Sequence, residues 1–433
     1  MKKNRTMTRI LIAVLALVIL IPLVVIGMQL AHDPGSDQPG VPVVNATEQV
    51  SRGQYLAMAG NCMSCHTVRG GDEYAGGRAI ATPFGSIYSS NLTPDPETGI
   101  GNWSADDFWR AIHNGKSKDG RFLYPAFPYP DYTKVSRADA DAMHAYLQTV
   151  PPVRQANREH DLRFPYNQRI LLAFWRALYF TPGEFKADPK QSSEWNRGAY
   201  LVHGLGHCAA CHTARNSLGG TIAEGGLAGG MIPMLDWYAS SLTSDAGAGL
   251  GDWETKDIAD LLKTGVSRRG TVFGPMAEVV GESLQHLSQS DIDAMAIYLK
   301  SIPGIDHGGP RPVPAPSASA EAMLGQGARL YEQNCVECHR ADGKGVPPAY
   351  PPLAGNQSLW AYSALNPIRM VLNGGYPPST GGNPRPYGMP PFGTSLNDEE
   401  LAAVVSYIRT SWGNQGSVVS PIEVARFRGV PVD

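Results

Sequence analysis

The sequence predicts a mostly α-helical protein that is built from three repeats of one unit. Its six cysteines form three Cys-x-x-Cys pairs, and a histidine directly follows each pair. Each unit closes on a segment with apolar residues at i, i+3 and i+4, which is the spacing of an amphipathic helix. No alternating pattern of any length competes with this helical spacing. We therefore expect helices that are connected by long loops.

Length and composition exclude several classes of protein. A chain of 433 residues is long enough for about three domains. Charged residues make up only 17% of it, against about 25% in an average protein, which excludes a charge-rich disordered chain and a coiled coil. The 48 glycines and 35 prolines indicate compact units with much irregular loop. The net charge of −3 gives no basic surface, so we expect no nucleic-acid partner.

The N-terminal region predicts a membrane anchor. Ile10 to Leu30 is a run of 21 residues without a charge, which as a helix would extend over about 32 Å and cross a hydrocarbon core. A signal peptide has a shorter apolar region and a small-x-small cleavage site, which the residues after Gln29 do not provide. A removed signal remains the alternative. By the positive-inside rule the rest of the chain is exported, to the periplasmic side of a bacterial inner membrane. The basic residues before the run are Lys2, Lys3, Arg5 and Arg9.

Self-comparison defines the units. Arg52-Gly-Gln-Tyr-Leu56 matches Arg197-Gly-Ala-Tyr-Leu201, and Gly327 to Tyr331 is a looser third copy. Ser90-Asn-Leu-Thr93 recurs as Ser240-Ser-Leu-Thr243. The predicted segments are an anchor or signal (1–32), domain 1 (48–160), an apolar connection (161–193), domain 2 (194–305), a Pro-rich linker (306–320), domain 3 (321–413) and a C-terminal tail (414–433).

The apolar connection has three possible roles. Its large side chains could pack on a neighbouring unit, contact a partner subunit or lie against the membrane surface, and we favour packing. The apolar residues concerned are Ile170, Leu171, Leu172, Phe174, Trp175, Leu178, Tyr179 and Phe180.

The Cys-x-x-Cys-His motifs predict covalent haem. Two thiols on one helical turn can bond the two vinyl groups of one haem, and the next histidine can then reach the iron. A redox dithiol would need a βαβ setting, three zinc half-sites would leave one over, and a disulfide does not explain the histidines. We therefore predict three covalently bound haem c groups. The thioether links would come from Cys62, Cys65, Cys208, Cys211, Cys335 and Cys338, and the proximal iron ligands would be His66, His212 and His339.

The distal iron ligands are predicted for two of the three units. Met389 lies in the Pro/Gly-rich run before the third closing helix, while Met370 fits an apolar helix. Met276 occupies the corresponding loop of the second unit, with Met231 and Met234 as distant alternatives. Methionine ligation raises the potential and closes the iron, which suits electron transfer.

The first unit departs from this pattern. Phe127 stands where a methionine is expected, and Met143 corresponds to Met295, which favours a core position. His113 and His144 could coordinate, although a surface position is the more frequent outcome for such histidines. The distal ligand of the first haem is therefore left unassigned. The other histidines, expected to be structural or solvent-facing, are His32, His160, His203, His207, His286 and His307.

These features resemble a known family. Arg163-Phe-Pro-Tyr-Asn-Gln168, Trp195 to Leu201 and Gly206 to Thr213 are similar to segments of the triheme cytochrome c subunit of bacterial membrane-bound dehydrogenases. The family includes cytochrome subunits of alcohol, aldehyde, gluconate, sorbitol and fructose dehydrogenases. The resemblance covers residues 48–412 and implies three tandem class I cytochrome c-like domains after the N-terminal helix. Relatives of the alcohol dehydrogenase type have a methionine where this chain has Phe127, and the N-terminal anchor is closer to the aldehyde dehydrogenase type.

The resemblance implies partners. A separate catalytic subunit with a quinone, flavin or molybdenum cofactor would oxidise the substrate, for which we favour an alcohol or aldehyde, and a small third subunit could accompany it. This chain would be the electron-transfer subunit and would pass electrons to membrane ubiquinone or a terminal oxidase. The alternatives are a haem enzyme or gas-binding module with an open first haem, and a soluble free-standing carrier.

Overall fold

The computed structural model describes residues 2–33, 40, 46–222, 226–305, 317–361 and 363–430. Within these residues the chain is predominantly helical, as predicted. It divides into two compact units. The first unit comprises Met1–Ala57, Cys65–Lys186 and Asn216–Gly220. The second comprises Met58–Ser64, Ala187–Arg215 and Thr221–Asp433.

The first helix, α1 (Lys2–Ala31), contains the apolar run. Its segment Arg9–Ala31 is long and apolar enough to cross a membrane, and none of its most apolar window is buried by other parts of the chain. Short helices and strands follow it. They are α2 (Ala46–Ala59), α3 (Cys62–His66), β1 (Ala79–Thr82), β2 (Gly85–Tyr88), α4 (Ala105–Asn114), α5 (Tyr129–Tyr132), α6 (Arg137–Leu147), β3 (Asp161–Leu162), a 3₁₀ turn (Arg169–Leu171) and α7 (Leu172–Tyr179).

The rest of the chain contains two further copies of the long first helix, the short Cys-motif helix and the closing helix. The elements of the middle part are α8 (Ser193–His203), α9 (Ala209–His212), β4 (Gly230–Ile232), β5 (Trp237–Ala239), α10 (Thr255–Thr264), β6 (Val266–Ser267), β7 (Gly270–Thr271), α11 (Pro275–Glu282), a 3₁₀ turn (Leu284–His286) and α12 (Gln289–Ser301). Those of the last part are α13 (Ala318–Asn334), α14 (Val336–His339), α15 (Gln357–Trp360), α16 (Leu365–Asn373), α17 (Asp398–Thr410) and α18 (Pro421–Ala425).

The strands form small antiparallel sheets that the sequence pattern does not indicate. Their order is β1-β2-β3 in one sheet, β4-β5 in the second and β6-β7 in the third. Residue Ala79 pairs with Tyr88, and Gly230 pairs with Ala239. Because each strand has only two to four residues, it is too short to display an alternation of apolar and polar side chains.

Each closing helix begins at a polar cap. Ser136, Ser288 and Asn397 accept a hydrogen bond from the backbone N–H three residues later, at the starts of α6, α12 and α17. Such a cap satisfies one of the N–H groups that lack a partner inside the helix. These caps explain why the closing helices begin close to the first residues with apolar spacing at i, i+3 and i+4.

The repeated glycines explain how the first and last helices of each repeat cross. A Cβ added at Gly53 would lie 1.9 Å from the carbonyl oxygen of Ala142. At Gly198 it would lie 1.9 Å from the Ala294 oxygen, and at Gly327 it would lie 2.1 Å from that of Ala403. Any side chain at these positions would collide with backbone, so only glycine permits the helices to approach this closely.

The repeated arginine next to two of these glycines has a role of its own. Arg52 forms an ion pair with Asp139 at 2.5 Å, and Arg197 forms one with Asp291 at 2.7 Å. Each aspartate lies in the first turn of its closing helix, where a carboxylate also interacts favourably with the helix dipole. The third copy has Gln326 at this position, so it lacks the arginine of the first two.

Two predicted boundaries need correction. The C-terminal tail is part of the fold up to residue 430, because Val419 and Val424 are buried and α18 packs on α17. The predicted linker ends earlier than residue 320, since Ser317 caps α13 and the helix starts at Ala318. Residues 306–316 of that linker lie outside the described residues.

Candidate haem sites

The three Cys-x-x-Cys-His motifs lie on short helices near the start of each repeat. The histidine is the last residue of α3, α9 and α14 in turn. In each repeat a longer helix precedes the motif, and a loop of irregular structure follows it.

Each motif histidine has the same hydrogen-bond partner type. The Nδ1 atoms of His66 and His212 lie 2.6 Å and 2.7 Å from the carbonyl oxygens of Ser90 and Ser240. The Nδ1 atom of His339 lies 3.0 Å from the carbonyl oxygen of Pro351. Because a carbonyl oxygen can only accept, Nδ1 carries the proton in each ring.

This tautomer leaves Nε2 with a free lone pair, which is the state that a metal-ligating histidine requires. Burial lowers the pKa of His66, His212 and His339 below that of an ordinary histidine, although the carbonyl bond opposes this shift. The three rings are therefore neutral at pH 7. A neutral ring with an available Nε2 lone pair suits the role predicted for these histidines, in which Nε2 would hold the haem iron.

The six motif cysteines form no disulfide, and Cys65 is exposed. Burial, with a smaller effect from Cys338, raises the pKa of Cys335 to about 11. In the part of the chain that is described, no group of three or more His, Cys, Asp or Glu residues is arranged to hold a metal ion.

Met389 lies on the loop before α17, as the sequence predicts. Its backbone N–H donates to the Gly375 carbonyl at 2.8 Å, and its own carbonyl accepts from Gly375 at 3.0 Å. The side chain is half-buried and packs against the core of the third repeat. The two backbone bonds fix the loop and hold this thioether in place.

Met276 has a different setting from the predicted loop. It is the second residue of α11, directly after Pro275. Proline is favoured at the start of a helix because its φ is already helical and its missing N–H needs no partner there. Gly274 precedes it with a φ of 56°, and a Cβ at this glycine would lie 2.7 Å from the Trp237 ring. The Phe-Gly-Pro sequence is thus a helix start, and Met276 remains half-buried in its first turn.

In the first repeat, Phe127 is half-buried among aromatic rings. Its ring centroid lies 5.4 Å from that of Tyr132 and 6.4 Å from that of Tyr129. Met143 is buried in α6, and Met295 is buried at the equivalent position in α12. The matching burial of these two methionines agrees with a core role.

The two histidine candidates of the first repeat are not on the surface, contrary to the more frequent outcome. His113 is only 3% exposed and stacks on Trp109 at 4.2 Å. The Nε2 atom of His144 lies 3.2 Å from the Trp103 carbonyl and 3.1 Å from the Gln148 amide. Both lie on apolar helix faces, where the sequence alone does not distinguish a ligand from a packed side chain.

The remaining described histidines have structural contacts or face solvent. The Nδ1 atom of His160 accepts from the Tyr88 N–H at 3.2 Å, and His207 contacts the Leu205 carbonyl at 2.8 Å. His203 bonds the Tyr298 hydroxyl. His32 and His286 are exposed, and His307 lies outside the described residues.

Two groups in the third repeat add to the fit with haem. The Nε1 atom of Trp360 and the Nδ2 atom of Asn373 are buried and have no hydrogen-bond partner. Buried donors are normally satisfied, and the carboxylates of a haem would supply acceptors. No sequence pattern marks these two donors, and the repeat of Ser90 and Ser240 does not by itself indicate that their carbonyls hold the motif histidines.

Comparisons with known proteins agree with these features. The cytochrome c family model matches residues 50–151 and 325–412. The chain is 40% identical over 404 residues to the alcohol dehydrogenase (quinone) cytochrome c subunit of Gluconobacter oxydans, a match covering 88% of this chain and 83% of that protein. It is 41% identical over 394 residues to the gluconate 2-dehydrogenase cytochrome c subunit of Pantoea cypripedii, covering 88% of this chain and 89% of that protein.

A third relative is a longer protein. The chain is 43% identical over 382 residues to a nicotinate dehydrogenase subunit of Pseudomonas putida, with 86% of this chain and 31% of that protein covered. The two cytochrome c subunits, in contrast, match over most of their length. The chain therefore belongs to the family of cytochrome c subunits of dehydrogenases, which transfer electrons through covalently bound haem c.

Proposed function

We propose that this chain is a triheme electron-transfer subunit of a membrane-bound dehydrogenase. It accepts electrons from a catalytic subunit and passes them to ubiquinone or the respiratory chain. The observation that carries this proposal is the threefold combination of a Cys-x-x-Cys-His motif with a histidine whose Nδ1 donates to a backbone carbonyl. Three haem sites with the same motif and the same histidine contact in one chain suit the transfer of single electrons from one haem to the next.

The residues divide into three roles. The six motif cysteines form the thioether links, and Nε2 of His66, His212 and His339 is the proximal iron ligand. The thioether sulfurs of Met276 and Met389 are the distal ligands. Haem c bound in this way supplies an iron that alternates between the ferrous and ferric states.

The three-domain organisation is supported by the helix crossings. Gly53, Gly198 and Gly327 each meet the backbone of a closing helix in the same way. The glycine, the Cys motif and the capped closing helix recur in the same order each time. We infer three tandem class I cytochrome c-like domains. The third and all of the second except Asn216–Gly220 belong to one compact unit.

The first site differs from the other two. Phe127 replaces the methionine, while Met143, His113 and His144 are held by packing or hydrogen bonds in the protein. We do not propose Met143, His113 or His144 as a ligand of the first haem. We propose that the first haem has a potential and a distal side unlike those of the second and third.

The relatives indicate which kind of partner subunit this chain has. One of them is a subunit of a quinone-dependent alcohol dehydrogenase and another of a gluconate dehydrogenase. Substrate chemistry therefore belongs to a separate catalytic subunit that carries a quinone, flavin or molybdenum cofactor, with a small third subunit as a further component. Alcohol or aldehyde oxidation is the substrate class we favour.

The location follows from α1. Its apolar length suits a retained anchor, and the basic residues before it favour a cytoplasmic N-terminus. The haem domains then lie on the periplasmic side of the inner membrane. Covalent haem attachment in that compartment is consistent with six cysteines that all belong to haem motifs.

The test is electron flow in the assembled complex. The complex is purified from membranes, and its partner is identified by mass spectrometry and by its cofactor. Ubiquinone reduction driven by the partner's substrate is then compared between wild type and Met276→Ala, with the core variant Met295→Leu as control. We expect Met276→Ala to slow quinone reduction while Met295→Leu does not.

Two outcomes would contradict the proposal. Normal quinone reduction in Met276→Ala would remove the second haem from the electron path. A chain that purifies without a catalytic subunit, binds carbon monoxide at its first haem when reduced and itself consumes peroxide would instead be a haem enzyme.

A further inference from the structure

The C-terminal end of α1 is held inside the first unit by two buried cations. Lys116 is only 1% exposed, and its Nζ lies 2.6 Å from an Asp33 carboxylate oxygen. The same Nζ donates to the carbonyls of Leu30 at 3.0 Å and His32 at 3.2 Å. The last carbonyls of a helix lack partners within it and carry partial negative charge, so a cation is favourable there.

Arg176 makes the second connection, from helix α7. Its Nε donates to Oε1 of Gln29 at 3.2 Å, and its Nη1 donates to the carbonyl of Asn114 at 2.6 Å. Helix α7 itself packs against α1. The exit of α1 is therefore fixed against the first domain, and α7 lies beside that exit.

The outer face of α7 is apolar and exposed. Ala173 and Arg176 point into the domain and are buried. Leu178 is 69% exposed, and Leu171, in the 3₁₀ turn that leads into α7, is exposed as well. Phe164, in the loop before α7, is 79% exposed. A cluster of large exposed apolar side chains marks a surface that is covered in the working protein.

The composition of this surface suits a lipid headgroup region. No aspartate or glutamate occurs between Leu162 and Gly183, and the exposed residues of this stretch include Arg163, Phe164 and Tyr166. Aromatic side chains concentrate at membrane–water interfaces, and an exposed cation favours anionic lipids. The segment is also placed correctly, because it adjoins the point where an apolar helix of membrane-crossing length ends.

We propose that residues 163–180 lie in the headgroup region of the leaflet from which α1 emerges, so that this segment and α1 together seat the first domain on the bilayer. This inference rests on the proposed role of α1 as a retained membrane anchor. The occupant of the exposed face is lipid, with an anionic component. The first domain is thus held against the membrane and not suspended on a free tether. The packing that we favoured from the sequence applies only to the inner face.

Nitroxide labels on the full-length holoprotein test the proposal. Leu178→Cys is labelled in vesicles of phosphatidylethanolamine and phosphatidylglycerol, with Ile19→Cys in α1 as the lipid reference and Glu97→Cys as the exposed reference on the same unit. The native cysteines are blocked as haem thioethers. We expect the ratio of oxygen to nickel-complex accessibility at Leu178 to be several-fold above that at Glu97 and below that at Ile19. Pyridine haemochrome spectra of each labelled sample report haem loading, which does not depend on the membrane contact.

The possible results separate the claims. Lipid exposure at Ile19 with water exposure at Leu178 would overturn the interfacial contact and leave the anchor standing. Water exposure at both positions would overturn the anchor and, with it, this inference. The label at Leu178 could instead be accessible to the nickel complex in vesicles and lose this accessibility only when the catalytic subunit is added. That result would assign the surface to the catalytic subunit and overturn the lipid contact.

Discussion

The imidazole of His212 donates from Nδ1 to the carbonyl of Ser240 at 2.7 Å, which fixes the ring and its tautomer. Ser90 and Ser240 occupy the same place in two copies of one sequence repeat, and Ser90 holds His66 in the same way. A carbonyl 28 residues away from His212 in the sequence thus sets the tautomer of this ring.

Removing a methionine ligand should change one haem only. For Met389→Ala we expect a fall in the potential of one haem by on the order of 0.1 V, because a thioether ligand raises the potential and axial ligands set potentials over about 0.8 V. The reduced variant should also bind carbon monoxide at that iron. Potentiometric titration with optical detection measures both effects, and Met295→Leu serves as a core control. An unchanged set of three potentials would exclude Met389 as a ligand.

The helix crossing of the third repeat offers a matched pair of glycines in α13. A Cβ at Gly327 would lie 2.1 Å from the Ala403 oxygen, whereas a Cβ at Gly325 meets nothing within 4 Å. We expect Gly327→Ala to lower the free energy of unfolding by about 2 kcal/mol or more because backbone must shift. Gly325→Ala should be neutral or stabilising by up to about 1 kcal/mol, since alanine favours the helix. Denaturant unfolding followed at the haem Soret band compares them, and equal effects of the two variants would contradict the crossing.

The buried cation at the end of α1 can be tested by protease. Lys116→Met removes the partner of Asp33 and of the last α1 carbonyls. We expect the free energy of local opening to fall by about 1–3 kcal/mol, the cost of leaving such polar groups without a partner. In detergent, a protease should then cleave the chain on the C-terminal side of residue 28 several-fold faster in this variant than in wild type. Lys118→Met, at a lysine that is 45% exposed, is the matched control, and identical cleavage of the two variants would show that Lys116 does not hold the helix.

The first domain should lose stability in mild acid through His160. Burial, assisted by the charges of Arg169 and Arg121, lowers the pKa of His160 to about 4. The unfolded chain therefore takes up a proton near pH 6.5 that the folded chain resists, and stability falls as the pH drops from about 6.5 to about 4. Because the ring is half-exposed, we expect this contribution to be about 1–2 kcal/mol after solvent screening.

Unfolding of wild type and His160→Gln across this pH range measures the contribution. The variant should show a smaller decrease in stability between pH 6.5 and pH 4, because glutamine does not titrate. A decrease of the same size in both proteins would contradict the role of this histidine.

Much of the fold could be predicted because three copies reinforce one pattern. The motif helices, the closing helices and the loop of Met389 follow from residue spacing. The start of α11 at Pro275 was missed, because Gly-Pro indicates a turn as readily as a helix start. His113 and His144 were misplaced because burial depends on which loops cover a helix face. The hydrogen bonds of Lys116 and Arg176 to the end of α1 join residues that are 84 to 147 positions apart in the sequence. No local sequence pattern encodes such contacts.

The most direct test of the central claim is the number of covalent haems on the chain. Denaturing mass spectrometry of the purified protein, followed by peptide mapping, gives the haem count and its positions. We predict the mass of the polypeptide plus three haems, with one haem on each of the peptides that contain Cys62, Cys208 and Cys335. An unmodified Cys-x-x-Cys-His peptide, or a total of two haems or fewer, would contradict the account.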